Sequence, residues 1–591
     1  MKLRPYQVDA VNATLDAWQD SRSVLGVAAT GLGKTVIAAH VIKHVVDCGK
    51  RVMVLAHREE LIFQAAKTIE RICDVEPDIE MGELRAAEHS LHGMAPVVIS
   101  TIQTQVAGHD SDRMERFDPG QFGMVWIDEA HHAPASTYRR VLDHYKQNPS
   151  LRVLGVTATP DRTDEAALGQ IFDSVAFEYD IRFGIDDGWL VPIRQKMVHV
   201  EHLDLSKCRT TAGDLNGADL ASELEAEKPL HEMLSAVIEI ACDMPSGSLA
   251  QIIAECTDEG AVDVDRVRRL VRIAAKRRRR TLIFAASLAH AEKMTEILNR
   301  WLPDSARWVH GGTPKIDRRQ MLADYNRGGF QFLLNVGVAT EGFDEPGIEC
   351  VMMARPTKSR SLYTQMCGRG TRPLPGIIDD GDEMHTFDVF RRQAIIDSAK
   401  PFLEVVDFVG NAGRHKLISS ADILAGNYND DVVARAKEKI GEDDDEPADV
   451  SKALEEADRE IVEEREAKKR ADEERRKNLV AVSKYSTSEV DPFDAFQVTP
   501  WREKAWEKGK PISEKMRALL ERQGVSTKNM TFAAARQIIS EITKRWDEGK
   551  CSYKQARVLA KRGLPTDVSH DEAKHMIDEI AKRENWRGAR R

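Results

Sequence analysis

Short apolar runs alternate with stretches of helical period through the first part of the chain. Val24-Leu-Gly-Val27, Val52-Met-Val-Leu-Ala56, Val97-Val-Ile-Ser100, Met124-Val-Trp-Ile127 and Val153-Leu-Gly-Val156 read as strands. Ala10, Val11, Leu15 and Trp18 recur at helical spacing, and Val36–Lys43 and Glu59 to about Arg71 read as helices. Such alternation predicts a parallel sheet covered on both faces, with any ligand at the carboxyl ends of the strands. A second series follows: strands at Thr281–Ala285, Trp308–His310, Phe330–Val336, Cys350–Ala354 and Phe402–Val409, with helices at Ala291–Trp301 and from Arg360 to Gly370. Between about Phe183 and Lys276 the pattern breaks down, and this stretch is expected to be a connector carrying a helical insertion. The expected class is α/β, with two tandem parallel-sheet domains and an α-helical C-terminal repeat region. The expected divisions are 1–190, 191–276, 277–430, an acidic linker with a charged helix over 431–500, and a helical tail over 501–591.

Polar clusters stand where such sheets place ligands. The first strand runs into Ala28-Ala-Thr-Gly-Leu-Gly-Lys-Thr35 and then a helix. A strand, a glycine-rich loop and a helix form a phosphate cradle, whose candidate contacts are Thr30, Gly31, Leu32, Gly33, Lys34 and Thr35. Lys34 reaches the β- and γ-phosphates, and the Thr35 hydroxyl is a Mg²⁺ ligand. Asp128-Glu129 ends a later strand: one carboxylate is suited to Mg²⁺ and the other to orienting and deprotonating the attacking water. Gln7, just ahead of the loop, offers a donor and an acceptor for an adenine edge. Arg369 and Arg372 lie about one turn apart and suit a phosphate approached from across a cleft. These residues predict an ATP hydrolase.

Composition narrows the class. The chain has 591 residues, 42% hydrophobic and 31% charged, with no apolar run approaching a membrane span and no signal peptide at its start. Its eight cysteines form no CxxC pair, so no zinc site or disulfide framework is expected, and a reducing cytoplasm fits. The net charge of −11 divides unevenly. Residues 501–591 hold 22 Lys+Arg against 13 Asp+Glu, or +9, leaving −20 for the first 500. The tail also repeats itself, Ala518–Gly524 against Val558–Gly563 and Ala535–Ile542 against Ala573–Ile580, with Trp546 and Trp586 closing the units. A basic repeat ending in Lys544-Arg-Trp546 and Trp586-Arg587 is a candidate DNA anchor or a docking surface for a protein partner; both tryptophans could equally be core residues. Arg277–Arg280 is open in the same way, between a nucleic-acid patch and a solvated helix end.

Read together, the two halves resemble a superfamily 2 helicase of the DEAH type, and the stretch Ala56-His-Arg-Glu-Glu-Leu61 looks like that of the RadD-like repair helicases and restriction-enzyme motor subunits, a form shared by many phage-borne helicases. The motifs carrying the resemblance are Arg4-Pro-Tyr-Gln7, Ala28–Thr35, Asp128-Glu-Ala-His131, Thr157-Ala-Thr-Pro160, Ala339–Asp344 and Gln365–Arg372. The resemblance implies two RecA-like domains with ATP and Mg²⁺ in the cleft between them. It adds Arg4 to the adenine site, and Gly342, Asp344 and Gln365 to the site from the second domain. It implies that His57, Arg58, Ser100, Thr101, His310, Gly311 and Thr340 line a sequence-independent nucleic-acid path. The expected function is an ATP-dependent DNA helicase or translocase in replication, recombination or repair. An ATP-switched DNA-remodelling clamp and an RNA helicase are the alternatives.

Overall fold

The apolar runs of the first series are strands of one parallel sheet. In the computed structural model these are β1 (Ser23–Ala28), β2 (Arg51–Ala56), β3 (Asp78–Glu80), β4 (Val97–Thr101), β5 (Phe122–Asp128), β6 (Arg152–Thr157) and β7 (Ser174–Tyr179), in the order β3-β4-β2-β5-β6-β1-β7. The structure describes residues 3–57, 59–86, 94–108, 113–158, 167–211, 213–258, 261–337, 345–378, 387–412, 415–426, 428–442, 447–478, 492–496, 498–504, 506–528 and 530–583. Every residue of β1 and β5 is buried, which is why both read as unbroken apolar runs. The core on one face joins Val41, Ile42, Ile62 and Ile69 to Val54 and Trp126. Because β6 lies between β1 and β5, Val27 pairs with Thr157 and Val156 with Asp128. Thr157 therefore ends its strand between the phosphate loop and the acid pair.

The second sheet holds β8 (Ile193–Asp204), β13 (Thr281–Phe284), β14 (Ala306–His310), β15 (Phe332–Val336), β16 (Cys350–Met353), β17 (Leu403–Asn411) and β18 (Ala448–Asp449), in the order β14-β15-β13-β16-β17-β8-β18. All its pairs are parallel except β18 with β8. Between β8 and β13 lie two small hairpins, β9 (Thr210–Thr211) with β10 (Asp214–Leu215) and β11 (Thr257–Asp258) with β12 (Ala261–Val262). Four helices accompany them: Gly217–Leu224, Glu227–Ala241, Ser248–Glu255 and Val264–Ala274.

The stretch expected to be a connector is thus part of the second sheet and its cover. Met233, Val237, Ile238, Val267 and Val271 share a core with Ile283, Leu334 and Met352. Strand β8 escapes the apolar pattern because many of its positions are exposed or half-buried, among them Arg194, Lys196, His199 and Glu201.

Residues 1–424 and 439–451 form one compact unit, and residues 425–438 and 452–591 a second. The first contains both sheets. In the second, the repeat becomes two helix pairs, Glu514–Gln523 with Phe532–Asp547 and Tyr553–Ala560 with His570–Arg583, around Leu520, Ile538, Ile542, Tyr553 and Leu559. The charged stretch Ala453–Arg476 lies within the helix Val450–Asn478. Among the described residues, no helix is long and apolar enough to cross a membrane.

Candidate active site

The loop after β1 turns at Gly31 and Gly33, whose φ angles are +94° and +78°. Glycine adopts these angles without strain. Space demands it as well: a Cβ on Gly33 would stand 2.6 Å from Gln7 Nε2, and one on Gly31 2.9 Å from Leu190. Among the described residues, the N–H groups of Gly31, Gly33, Lys34 and Thr35 donate to no backbone carbonyl. They gather at the start of the helix Lys34–Asp47, where the dipole also favours an anion. This geometry fits a nucleotide's phosphates.

The glutamine expected to read adenine is fastened to that loop. Gln7 Nε2 and the Tyr6 hydroxyl both donate to the Leu32 carbonyl, at 3.2 and 2.9 Å, while Gln7 Oε1 accepts from the Arg4 N–H at 3.0 Å. The Arg4 guanidinium lies 4.5 Å from the centre of the Trp189 ring, and that of Arg391 lies 4.0 Å from the same ring. Arg391, almost fully buried, also pairs with Asp187 at 3.0 Å and donates to its carbonyl at 2.8 Å. Trp189 and Arg391 were not anticipated from the sequence. Trp189 follows the first sheet and Arg391 belongs to the helix Asp388–Ile396, and only folding joins them.

Asp128 and Glu129 are both buried at the end of β5. Glu129 has φ +48°, a costly angle for a residue with a side chain and one found at functional sites. Its Oε1 lies 3.6 Å from Lys34 Nζ, and its Oε2 lies 3.5 Å from His131 Nδ1. His131 Nδ1 is also 3.2 Å from the Thr157 hydroxyl. Burial pushes the Glu129 carboxyl up, but Lys34, then His131, Arg369 and His132 outweigh it, and the net direction is down. The carboxylate is therefore ionised at neutral pH. Its Oε2 is buried with no hydrogen-bond partner among the described residues, as suits a group meant to accept from a water. Thr35 follows Lys34 on the first turn of the same helix, and with Asp128 it is the residue pair that could hold a Mg²⁺ ion through oxygen.

The opposite wall comes from the helix Arg360–Gly368 and the residues just after it. Gly368 sits against Thr30, where a Cβ would come within 2.6 Å of the Thr30 Cβ. The Arg372 side chain packs beside Gly31, and Arg369 is one of the charges that hold Glu129 ionised. Gln365 is buried in the same helix. The Val191 N–H donates to the Thr371 carbonyl at 2.8 Å.

The residues expected on the nucleic-acid path divide. The His57 ring stacks on His132, centroids 4.5 Å apart, and His132 lies 4.1 Å from His131. A line of rings thus runs from the end of β2 to the residue beside Glu129. Ser100 is fully buried; its hydroxyl donates to the Glu80 carbonyl and accepts from Gln105, both at 2.9 Å, bracing the strand end from inside. Thr101 caps the turn Ile102–Gln105. His310 ends β14 with its ring stacked on Trp308, and Gly311 beside it is exposed with open space around it. Arg58, Thr340, Gly342 and Asp344 lie outside the described residues, as do Thr159 and Pro160.

Comparison with known proteins finds helicase-family matches in both halves of this region. The family described as the res subunit of type III restriction enzymes matches residues 1–162, and the helicase conserved C-terminal domain matches residues 264–373. Both matches are helicase-family domains, which supports the resemblance to the superfamily 2 helicases. Its two helicase domains imply ATP hydrolysis. It is 28% identical over 445 residues to IRC3 of Saccharomyces cerevisiae, provisionally named an ATP-dependent helicase, covering 73% of this chain and 54% of that protein. It is 25% identical over 387 residues to the endonuclease subunit of the type I restriction enzyme EcoAI of Escherichia coli, covering 62% and 44%. It is 27% identical over 377 residues to a Halobacterium salinarum protein provisionally named a DNA 3'-5' helicase, Rad25, covering 63% and 52%. The chain spans about half the length of these relatives.

Proposed function

We propose that this protein is an ATP-dependent DNA motor that moves along or unwinds DNA by sequence-independent contacts, in replication, recombination or repair. The observation that carries the reading is the line Lys34–Glu129–His131–Thr157 at the strand ends, faced by Arg369 and Arg372 from the second sheet. Lys34 and the loop N–H groups neutralise and orient the phosphates, and Glu129 accepts the proton of the attacking water. Thr35 and Asp128 would hold Mg²⁺, which when bound supplies charge neutralisation on the phosphate oxygens. Arg369 and Arg372 complete the site only when the cleft is closed, which ties turnover to domain closure. DNA is favoured as the track by the relatives' names, which include restriction-enzyme subunits and a DNA helicase.

A strand-displacement assay with paired DNA and RNA duplexes tests the reading. DNA displacement that needs ATP is expected. ATPase activity stimulated by DNA without displacement would instead favour the remodelling clamp, and displacement of RNA alone would make the track RNA.

The basic tail supplies a second contact in this reading. Trp546 is half exposed and Lys544 beside it is exposed, so this tryptophan is not a core residue, whereas Arg545 is buried on the Cys551 carbonyl. Trp586 lies outside the described residues. Lys544→Gln with Trp546→Ala in the full chain is expected to weaken single-stranded DNA binding by on the order of 10-fold, the scale of one lost base stack. Basal ATPase should be unchanged. Unaltered DNA affinity would leave docking of a protein as the tail's role.

A further inference from the structure

Nine basic side chains lie between Arg266 and Arg280, and folding divides them into two sets. Arg268 pairs with Asp265 at 3.1 Å, Arg277 with Glu349 at 3.1 Å, Arg280 with Glu345 at 2.9 Å, and Arg279 with the buried Glu404. Three members of the four-arginine run are thus tied into the second sheet. The other set is unlike it. Arg266, Arg269 and Arg272 on the helix Val264–Ala274, and Lys276 and Arg278 after it, are exposed and have no carboxylate within 4.0 Å among the described residues.

The three helical arginines are three positions apart, so they share one face. Buried Val267 and Val271 anchor the opposite side in the core, which fixes that face outward. Like charges at this spacing repel one another, and the fold itself makes no use of them.

We propose that this face of the insertion is a binding site for the phosphate backbone of duplex DNA, separate from the path along the strand ends. The proposal rests on the reading of the protein as a DNA motor. Helical rise sets the three guanidinium groups at intervals of about 4.5 Å, spanning roughly 9 Å. Counting both strands, a duplex carries one charge per about 1.7 Å of its axis, so a cationic face of this length lies along several phosphates. Single strands are gripped by exposed rings on which bases stack. Among the described residues, the exposed large apolar side chains of the insertion are Val262 and Ile273, neither of them aromatic. A rigid cationic face without a stacking platform fits a duplex better than a single strand. In a chain of net charge −11 the attraction is local to this face.

The test compares the full-length wild type with the variant Arg266→Gln, Arg269→Gln, Arg272→Gln. Binding to a labelled duplex and to a single strand of equal length is measured over a range of salt. The proposal expects the slope of log affinity against log salt for the duplex to become shallower by about 2–3, with affinity lower by on the order of 10-fold or more. Single-strand affinity and ATPase stimulated by single strands should not change. The corresponding triple lysine variant keeps the charge and should keep the wild-type slope. An unchanged duplex slope overturns the proposal, and equal losses for duplex and single strand overturn its assignment to duplex. Should the triple glutamine variant fail to fold, Arg266→Gln and Arg269→Gln alone should each remove about one unit of slope, and an unchanged slope in both overturns it. A wild type that binds neither DNA would instead refute the motor reading.

Discussion

Replacing Lys34 with alanine is expected to lower ATP turnover by on the order of 10³-fold or more, with or without DNA. Two losses combine. The ammonium is carried by the loop's own lysine, and the charge developing on the transferred phosphoryl group would lose that compensation. Glu129, in the buried site beside it, would also lose the first of the cations that offset its burial. Its pKa would rise toward that of a buried carboxyl, leaving less of the ionised base at neutral pH. The second loss distinguishes this site from an ordinary surface ion pair, whose removal would leave turnover intact. Turnover of the purified variant is the measurement, with folding checked by thermal unfolding. Near-normal rates would refute the site.

The parts of this site legible in the sequence are those whose chemistry is local in the chain. Gly31, Gly33, Lys34 and Thr35 are consecutive or nearly so, and Asp128-Glu129 ends an apolar run, so type and spacing suffice. What could not be read depends on partners brought together by the sheet. His132 is visible beside His131, but its ring meets His57 because β2 and β5 are neighbours. Trp189 gains its second guanidinium from Arg391, which also bonds Asp187 across 204 positions of chain. The same holds for the fold. Strands β1 and β5, buried on both faces, announce themselves, whereas β8 is half polar and resembles a linker until β17 is laid beside it. The basic run from Arg277 looks like a surface patch because its carboxylate partners, Glu345, Glu349 and Glu404, are distant in sequence.

Glu129→Gln is expected to separate ATP binding from hydrolysis. The amide has the shape of the carboxylate and tolerates the same left-handed backbone angle, so the loop and the acid pair should keep their geometry. What it lacks is an ionised oxygen able to take the proton of the attacking water, a contribution of roughly 10²–10⁴-fold. Affinity moves the other way. Lys34 sits 3.6 Å from Glu129, so the carboxylate competes with phosphate for the ammonium. A neutral amide relaxes that competition, and nucleotide should bind as tightly as in the wild type or more tightly. The pH dependence gives an independent check. Because Lys34, His131, Arg369 and His132 together hold the wild-type carboxyl below its ordinary value, turnover should survive acidification through the usual carboxylate range and fall only beneath it. In the glutamine variant the small residual rate should show no such acid limb. The measurements are binding of a fluorescent nucleotide and single-turnover hydrolysis across pH. Equal losses of affinity and rate would make Glu129 a structural residue, and a wild-type acid limb at or above the ordinary carboxylate range would show that some other group takes the proton.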